Sequence, residues 1–252
     1  MIHYHGTPLS GGAKSALALS GKHVFISHAH KDNCEMAMEM CQTFALDNGA
    51  FSAWKSGREF QLGAYCDWVN HYGYHPACDF FVLPDVINGT EAENKEMIDA
   101  AFELIDPVIW NKGWPVWHLH ESLDWLEYLI SSYPAICLGS SGEFAATETQ
   151  GWWGRMSEAM EVCCDDKGRP RIPIHGLRML SPTAFSHIPL RSADSTNVAQ
   201  NISANERFGR GPYAPQSLYV RALVMMENIE RHASATRWTN SNGVTKNMDL
   251  FG

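Results

Sequence analysis

The chain has 252 residues and a formal net charge of −9, and 45% of its residues are hydrophobic and 19% charged. This composition is that of an ordinary globular protein, and the length is that of one typical (β/α)₈ barrel. The sequence contains no apolar run of about 18 residues and does not start with a basic segment followed by an apolar one, so it predicts neither a membrane span nor a secretory signal.

Short apolar segments rich in β-forming residues alternate with helix-like segments along the chain. Strands are predicted at residues 2–5, 23–28, 44–47, 80–85, 115–120, 135–140, 171–178 and 191–195. Helices are predicted at residues 32–42, 58–73, 91–104, 121–132, 150–164, 181–187 and 215–233. Because eight such βα units close on themselves, we expect an α/β fold with one (β/α)₈ barrel over residues 1–235. Residues 236–252, rich in Asn, Thr, Ser and Gly, are predicted to be a mobile tail.

Almost every predicted strand ends in a polar side chain. In (β/α)₈ barrels the catalytic groups lie where strands end and the following loops begin. The polar residues at these positions are His3, His5, His28, His30, Asp47, Asp85, His118, His120, Ser140, Ser141, Glu143, His175 and Asp194. A single residue of this kind is often only a loop cap, but the agreement across strands predicts an active site at this end of the barrel.

Two of the carboxylates suit glycosyl chemistry. Asp47 precedes an Asn-Gly turn that folds the backbone tightly and offers the Phe51 ring to a flat ligand, and Asp194 lies at the mouth of the last strand. Two carboxylates at one barrel mouth can divide the roles of nucleophile and general acid/base. Asp85 is suited to accept hydrogen bonds from the N–H groups of a base, and the loop at 138–143 suits recognition of a heterocycle edge.

The seven cysteines are scattered and odd in number: Cys34, Cys41, Cys66, Cys78, Cys137, Cys163 and Cys164. We expect reduced, mostly buried thiols in a cytoplasmic protein. Cys163 and Cys164 are adjacent and lack the CxxC spacing of a zinc site, so we predict neither a metal nor a redox cofactor.

The basic residues are unevenly distributed. The net charge alone argues against a nucleic-acid partner, yet segment 167–221 holds eight basic residues and two acidic ones. We expect this segment to present a basic face to phosphate groups, through Arg178, Arg191, Arg207 and Arg210. The alternative is that these arginines are scattered solvated charges.

Five segments, in order, resemble motifs of the tRNA-guanine transglycosylases. The similar pairs are DNGAF at 47–51 with DSGGF/Y, LPDV at 83–86 with the strand of the base-recognising aspartate, LGSSGE at 138–143 with GLAVGE, RPRIPIHGLRML at 169–180 with KPRYLMGVG, and SADST at 192–196 with the segment of the nucleophilic aspartate. Stretches such as LDNGAFSAWKSG and SADSTNVAQN resemble in particular the phage-type branch, the DNA-guanine transglycosylases that insert 7-deazaguanines into DNA.

The resemblance implies that guanine in DNA is exchanged for a free, preQ0-like 7-deazaguanine base, without a cofactor, in the cytoplasm of a phage-infected bacterium. It implies Asp194 as the nucleophile and Asp47 as the general acid/base. The residues that it implies for base binding are Asp85, Phe51, His118, Gly139, Ser140 and His175. Of these, Phe51 and His175 would stack on the two faces of the base. The oligomeric state stays open, with a homodimer as one option.

The chain departs from the tRNA enzymes in two places. Those enzymes carry a cysteine-rich zinc site after the last strand, whereas residues 195–252 contain no cysteine. Because that zinc subdomain helps to bind tRNA, its absence favours DNA as the substrate. His118 lies where the tRNA enzymes have a base-binding glutamine, which leaves the preferred base open.

Three alternative interpretations remain. The first is an enzyme that acts on tRNA like the rest of the superfamily. The second is a metal-dependent amidohydrolase, because residues 3–5, 28–30 and 118–120 each place two histidines on one strand face, where imidazoles and an aspartate would hold zinc. The third is a barrel that binds DNA without catalysis, against which the intact pair of Asp47 and Asp194 argues.

Overall fold

A parallel sheet surrounded by helices forms the α/β fold. The computed structural model describes residues 1–9, 12–204 and 215–239. The strands are β1 (Ile2–Gly6), β2 (His23–Ser27), β3 (Thr43–Asp47), β4 (Cys78–Val82), β5 (Gly113–Trp114), β6 (Val116–His118), β7 (Ile136–Gly139), β8 (Ile174–Gly176) and β9 (Ser192–Ser195). The helices are α1 (Ala13–Ala16), α2 (Cys34–Met40), α3 (Ala50–Lys55), α4 (Leu62–Tyr72), α5 (Glu91–Phe102), α6 (Leu123–Ser132), α7 (Gln150–Cys163), α8 (Pro182–Phe185), α9 (Asn197–Asn201) and α10 (Leu218–Glu230).

The sheet curls into a nearly closed barrel. Neighbouring strands are all parallel, in the order β5-β4-β3-β2-β1-β9-β8-β7-β6. The two ends of this order, β5 and β6, follow each other in the chain with only Pro115 between them. On one side the Trp114 carbonyl accepts the Leu83 N–H at 2.8 Å, and on the other the Pro115 carbonyl accepts the Cys137 N–H at 2.8 Å. Within the described residues the barrel has nine strands where the sequence predicted eight, because the strand pairing switches at Pro115, which has no N–H to donate.

Apolar side chains fill both faces of the sheet, as alternation along the strands requires. Tyr4, Phe25 and Phe80 belong to a cluster inside the barrel, in which Phe80 and Trp114 stack with their ring centroids 3.9 Å apart. The larger cluster lies between the barrel and the helices and includes Trp152. The inner cluster closes the middle of the barrel, so open space remains at the carboxyl ends of the strands.

Three helices begin at side-chain caps. Thr90 and Glu93 form a capping box at the start of α5, and the hydroxyls of Ser122 and Thr149 accept backbone N–H groups at the starts of α6 and α7. These helices agree with the predicted ones to within a few residues. None of the helices in the described part of the chain is both long and apolar enough to cross a bilayer.

The beginning of the segment predicted to be a mobile tail packs on the barrel. Trp238 is only 9% exposed and joins the outer core. Its backbone N–H donates to the Gly168 carbonyl at 2.7 Å. Residues 240–252 lie outside the described residues.

Candidate active site

A cavity of about 560 Å³ opens at the carboxyl ends of the strands. The predicted site residues that line it are Asp47, Phe51, Asp85, His118, Gly139, Ser140, Arg178 and Asp194. The volume lies in the range of small-molecule sites. Thr7 also lines the cavity.

The turn after β3 has the geometry that its Asn-Gly sequence predicted. Gly49 has φ of 77°, in the left-handed region that favours glycine. A side chain here would also come within 3.1 Å of the backbone nitrogen of Ala29. The turn leads directly into α3, which begins at Ala50 and brings Phe51 to the cavity. Asp47 and Phe51 therefore reach the same space from one short segment.

Asp47 is a carboxyl group whose proton can move at neutral pH. Burial and the charges of Asp194 and Asp85 raise its pKa, the nearby Ser27 hydroxyl and Gly49 backbone N–H oppose that rise, and the net result is a pKa of about 7. A general acid/base works best when its pKa lies near the operating pH. This environment suits Asp47 for that role.

Asp194 is buried and held by two nitrogen groups. Its Oδ1 atom accepts the Arg178 backbone N–H at 2.8 Å and lies 3.3 Å from Nε2 of His175. Arg178 has φ of 60°, a conformation that is uncommon outside glycine and that can store strain at a functional site. This backbone conformation places the N–H on the carboxylate and fixes its orientation.

His175 does not lie where the sequence predicted it. The ring is 0% exposed and does not line the cavity. It stacks on Phe25 inside the barrel, with 5.2 Å between ring centroids, and its Nδ1 is 2.9 Å from the Ser192 hydroxyl. Because β8 directs this side chain into the barrel below Asp194, the ring is not placed to stack on a ligand, as predicted, but supports the Asp194 carboxylate.

Asp85 belongs to a buried polar wall of the cavity. Its Oδ1 atom accepts from Nδ2 of Asn48 at 2.6 Å, and its Oδ2 atom lies 2.9 Å from Nε2 of His118. Asn48 also bonds the Leu83 carbonyl and the Ala50 N–H, which fixes its amide. The sequence identified Asn48 only as a turn residue, because nothing in the sequence indicates that its side chain reaches the next strand.

His118 continues this wall toward the loop after β7. Its Nδ1 lies 3.2 Å from the Ser141 hydroxyl, which lies 3.0 Å from Nδ1 of His120. A side chain at Gly139 would come within 3.0 Å of the His118 ring, so glycine lets the two strands approach. The Ser140 hydroxyl accepts a hydrogen bond from Nε1 of Trp152, in the outer core, at 2.9 Å. Ser141 takes a larger part in the wall than Ser140.

Aromatic and basic side chains surround the cavity mouth. Phe51 is 38% exposed and Trp54 is 52% exposed, with 5.8 Å between their ring centroids. The Arg178 guanidinium lies over Phe51, and Lys55 and His30 also line the opening. Exposed rings beside cations are typical of surfaces that bind nucleic-acid strands.

The other basic residues of segment 167–221 do not form one face. Arg191 directly precedes β9, at the opposite end of the strand from the cavity, and lines a separate depression with Ile2. Arg169 pairs with Asp165, Arg171 pairs with Glu127, and Arg221 is buried against backbone carbonyls. The predicted basic face is therefore not formed by these residues, because Arg169, Arg171 and Arg191 lie in the αβ connections that lead into β8 and β9, at the end of the barrel opposite the cavity. Arg207 and Arg210 lie outside the described residues.

The histidine pair on the first strand points away from the cavity. His5 is buried with its Nε2 2.9 Å from Glu230, and Nε2 of His3 is 2.9 Å from the His232 carbonyl. Alternation along β1 directs Tyr4 inward instead.

In the described ranges, no group of three or more His, Cys, Asp or Glu side chains is arranged to hold a metal ion. All seven cysteines are free thiols, and five of them are buried.

No protein-family model matches this chain, and no curated protein matches it. Among solved structures, a protein from Aquifex aeolicus VF5 matches with a TM-score of 0.49 and 10% sequence identity, over 91% of this chain and 90% of that chain.

Proposed function

We propose that the protein is a transglycosylase that replaces guanine in DNA with a 7-deazaguanine base, in the cytoplasm of a phage-infected bacterium. The observation that supports this most is that one cavity holds two carboxyl groups in unlike environments. Asp194 is fixed by the Arg178 N–H and faces His175, whereas burial raises the pKa of Asp47 to about 7. Unlike environments of this kind assign different roles to two carboxyl groups.

The reaction takes two steps. Asp194, as the carboxylate, attacks the anomeric carbon of the target nucleotide, and the electron pair of the broken C–N bond leaves with the guanine, which takes a proton from Asp47. The incoming base then gives its ring proton to Asp47 and attacks the same carbon, which releases Asp194. Protons and charges balance over the cycle, and two displacements retain the configuration of the sugar.

The mouth of the cavity suits a polymer that delivers a single extruded nucleotide. Enzymes that act on a base in DNA flip the nucleotide into a pocket. Phe51 and Trp54 offer exposed rings, and Lys55 and Arg178 offer charges for the flanking phosphates. On this proposal Gly113–His118 is one strand interrupted at Pro115, and the fold is a (β/α)₈ barrel without a zinc subdomain.

The test is mass spectrometry of nucleosides from DNA incubated with the protein and a free 7-deazaguanine base. We expect the deazaguanine deoxynucleoside to appear with wild-type protein and to be absent with Asp194→Asn. A parallel incubation with tRNA distinguishes the two polymers. Exchange on tRNA alone would contradict the choice of DNA, and no exchange on either would contradict the proposed reaction.

A further inference from the structure

Five groups along the polar wall form a chain of four hydrogen bonds. The Gly89 carbonyl lies 3.1 Å from Nε2 of His120, and Nδ1 of His120 lies 3.0 Å from the Ser141 hydroxyl. That hydroxyl lies 3.2 Å from Nδ1 of His118, and Nε2 of His118 lies 2.9 Å from Oδ2 of Asp85. A carbonyl acceptor ends the chain on one side and a carboxyl group ends it on the other.

The number of protons in these four hydrogen bonds determines the net charge of the five groups. Each of the four hydrogen bonds needs one proton. Two neutral imidazoles, one hydroxyl and a carboxylate supply three in all, because a neutral imidazole carries one N–H and a carboxylate none. When all four bonds are formed, the chain therefore holds one proton more than His118, His120 and Asp85 carry in their neutral, neutral and ionised forms. The extra positive charge offsets the negative charge of Asp85.

The surroundings place the extra proton on His118. Nδ2 of Asn48 donates to Oδ1 of Asp85, and Oδ2 of the same carboxyl group faces Nε2 of His118. Glu121 adds a second negative group, since its Oε2 atom accepts the His118 backbone N–H at 2.6 Å. Burial by itself lowers the pKa of His118, but the hydrogen bond to Asp85 and the charges of Asp85 and Glu121 raise it above its ordinary value.

The other charged groups near this wall leave that assignment intact. Burial raises the pKa of Glu121, and hydrogen bonds from the His118 backbone and from Asn94 oppose that rise. The Arg155 guanidinium is held by the Leu119 and Glu121 carbonyls and by the carboxylate of Glu158. Asp47 and Asp194 line the same cavity.

We propose that Ser141 and His120 are positioning residues that keep His118 in its imidazolium form beside Asp85. The pair of Asp85 and His118 then carries no net charge, and the wall is matched to an uncharged heterocyclic base rather than to a cation. Without this compensation, three carboxyl groups in one cavity would favour cationic ligands. The choice of ligand rests on the proposed function, whereas the protonated state of His118 does not.

The first experiment reads the protonation state directly in the free protein. Nitrogen-15 NMR of labelled histidines distinguishes an imidazolium from either neutral tautomer, and the His118 signals are assigned by their loss in His118→Gln. We expect both ring nitrogens of His118 to be protonated at neutral pH. Ser141→Ala removes two of the four bonds, and the pKa of His118 should fall by about one unit, as loss of a hydrogen bond to a charged group implies.

Three further variants distinguish the effect of the hydrogen bonds through Ser141 and His120 from a general disturbance of the wall. His120→Ala should also lower the pKa of His118, although His120 shares no hydrogen bond with it, because Ser141 is then free to donate to His118. Ser141→Thr keeps a hydroxyl and should restore the wild-type value. Ser140→Ala is the matched control, since its hydroxyl bonds Trp152 and neither histidine, and it should leave the pKa unchanged. A neutral His118 at neutral pH, or an unchanged pKa in both Ser141→Ala and His120→Ala, would overturn the proposal.

The second experiment measures binding of free 7-deazaguanine by calorimetry. If the base binds the imidazolium form of His118, Ser141→Ala should bind it like wild type at low pH. Above the pKa of His118 in both proteins, the variant should bind up to about tenfold more weakly, because one pKa unit corresponds to a tenfold change. Absence of binding in every protein, with the NMR result intact, would contradict the proposed ligand and leave the protonated His118 in place. If Ser141→Ala weakened binding of the base by the same factor at every pH, the link between protonation of His118 and binding of the base would be overturned.

Discussion

The guanidinium of Arg178 lies over the ring of Phe51, with its central carbon 4.7 Å from the ring centroid. A cation in this position contributes about 0.5–1 kcal/mol at an exposed site. The backbone N–H of the same residue donates to Asp194. Arg178 therefore connects the residue proposed as nucleophile with the exposed ring at the mouth, and a base that stacks on Phe51 must use the uncovered face or displace the guanidinium.

Phe51→Ala is expected to raise the KM for the free base by roughly tenfold or more, because stacking contributes about 1–3 kcal/mol per base. Steady-state kinetics with varied deazaguanine would measure this. Trp54→Ala is the matched comparison: Trp54 does not line the cavity, so its loss should weaken DNA binding and leave the KM for the base unchanged. Wild-type kinetics in Phe51→Ala would count against stacking.

Arg178→Gly is expected to reduce the salt dependence of DNA binding. Glycine tolerates the left-handed backbone at this position and keeps the N–H that bonds Asp194, so the variant removes the guanidinium selectively. Loss of one phosphate contact should lower the slope of log K against log salt by about 0.7–0.9. The control is Arg191→Ala, at the other end of the barrel, which should not change the slope. Equal effects of the two variants would contradict the proposal that the flanking phosphates bind at the cavity mouth.

For four of the residues at strand ends the sequence predicted the position, whereas their roles stay predictions. Asp47, Asp85, His118 and Asp194 line one cavity because parallel strands bring their carboxyl ends to one edge, whatever the details of packing. The element order followed from the alternation of short apolar segments with helix-like segments, which is a local signal. The strand predicted at 115–120 corresponds to β6, and the short strand β5, which ends just before Pro115, was not predicted.

The features of the site that the sequence did not predict depend on contacts between residues that lie far apart in the chain. Whether His175 stacks on a ligand or supports Asp194 depends on the depth of its ring in the barrel, and a strand pattern specifies the face but not the depth. The partners of Asn48 and Ser141 lie 37 and 23 residues away in the sequence, and no local pattern indicates such contacts. The arginines of segment 167–221 were assigned to one face from composition, which carries no information on which loop each one occupies.

His175→Gln tests the corrected role of this residue. If the ring supports Asp194, the variant should lower kcat by roughly ten- to a hundredfold, as misplacement of a reacting group does, and leave the KM for the base unchanged. If the ring stacked on the base, KM would rise instead. Ser192→Ala removes the hydroxyl next to Nδ1 of His175 and should give a smaller loss of kcat in the same direction.

Asp47→Asn is expected to stabilise the folded protein at alkaline pH and to have little effect in acid. The pKa of Asp47 is raised from 3.8 to about 7, so the folded chain binds this proton more tightly than the unfolded chain. The stability of wild type should therefore fall as the pH rises from about 4 to about 7, whereas the variant has no proton to lose. Thermal unfolding below pH 4 and above pH 7 would measure the difference in Tm between the variant and wild type.

The control for that measurement is Asp99→Asn, which removes an exposed carboxylate on α5. Its difference in Tm from wild type should vary much less with pH than that of Asp47→Asn. A difference for Asp47→Asn that is the same in acid and in alkali would contradict the raised pKa.

Asp194→Asn and Asp47→Asn are expected to fail at different steps. Asparagine at 194 keeps the size and polarity of the side chain but cannot attack the anomeric carbon as an anion, so the variant should bind DNA and form no covalent adduct. Asp47→Asn loses general acid–base help, typically worth about 10²–10⁴-fold. It keeps the nucleophile, and it should form some adduct while turning over slowly.

A denaturing gel of protein, DNA and a 7-deazaguanine base distinguishes these outcomes. Wild type should show a slowly migrating covalent band, Asp194→Asn should show none, and Asp47→Asn should show a weaker one. Both variants replace a carboxyl group by an amide of the same size and leave the barrel core unchanged, so a missing band reflects lost chemistry and not a lost fold. An adduct in Asp194→Asn with none in Asp47→Asn would reverse the two roles. Base exchange by wild type without any adduct would instead point to direct displacement, in which no aspartate becomes bonded to the sugar.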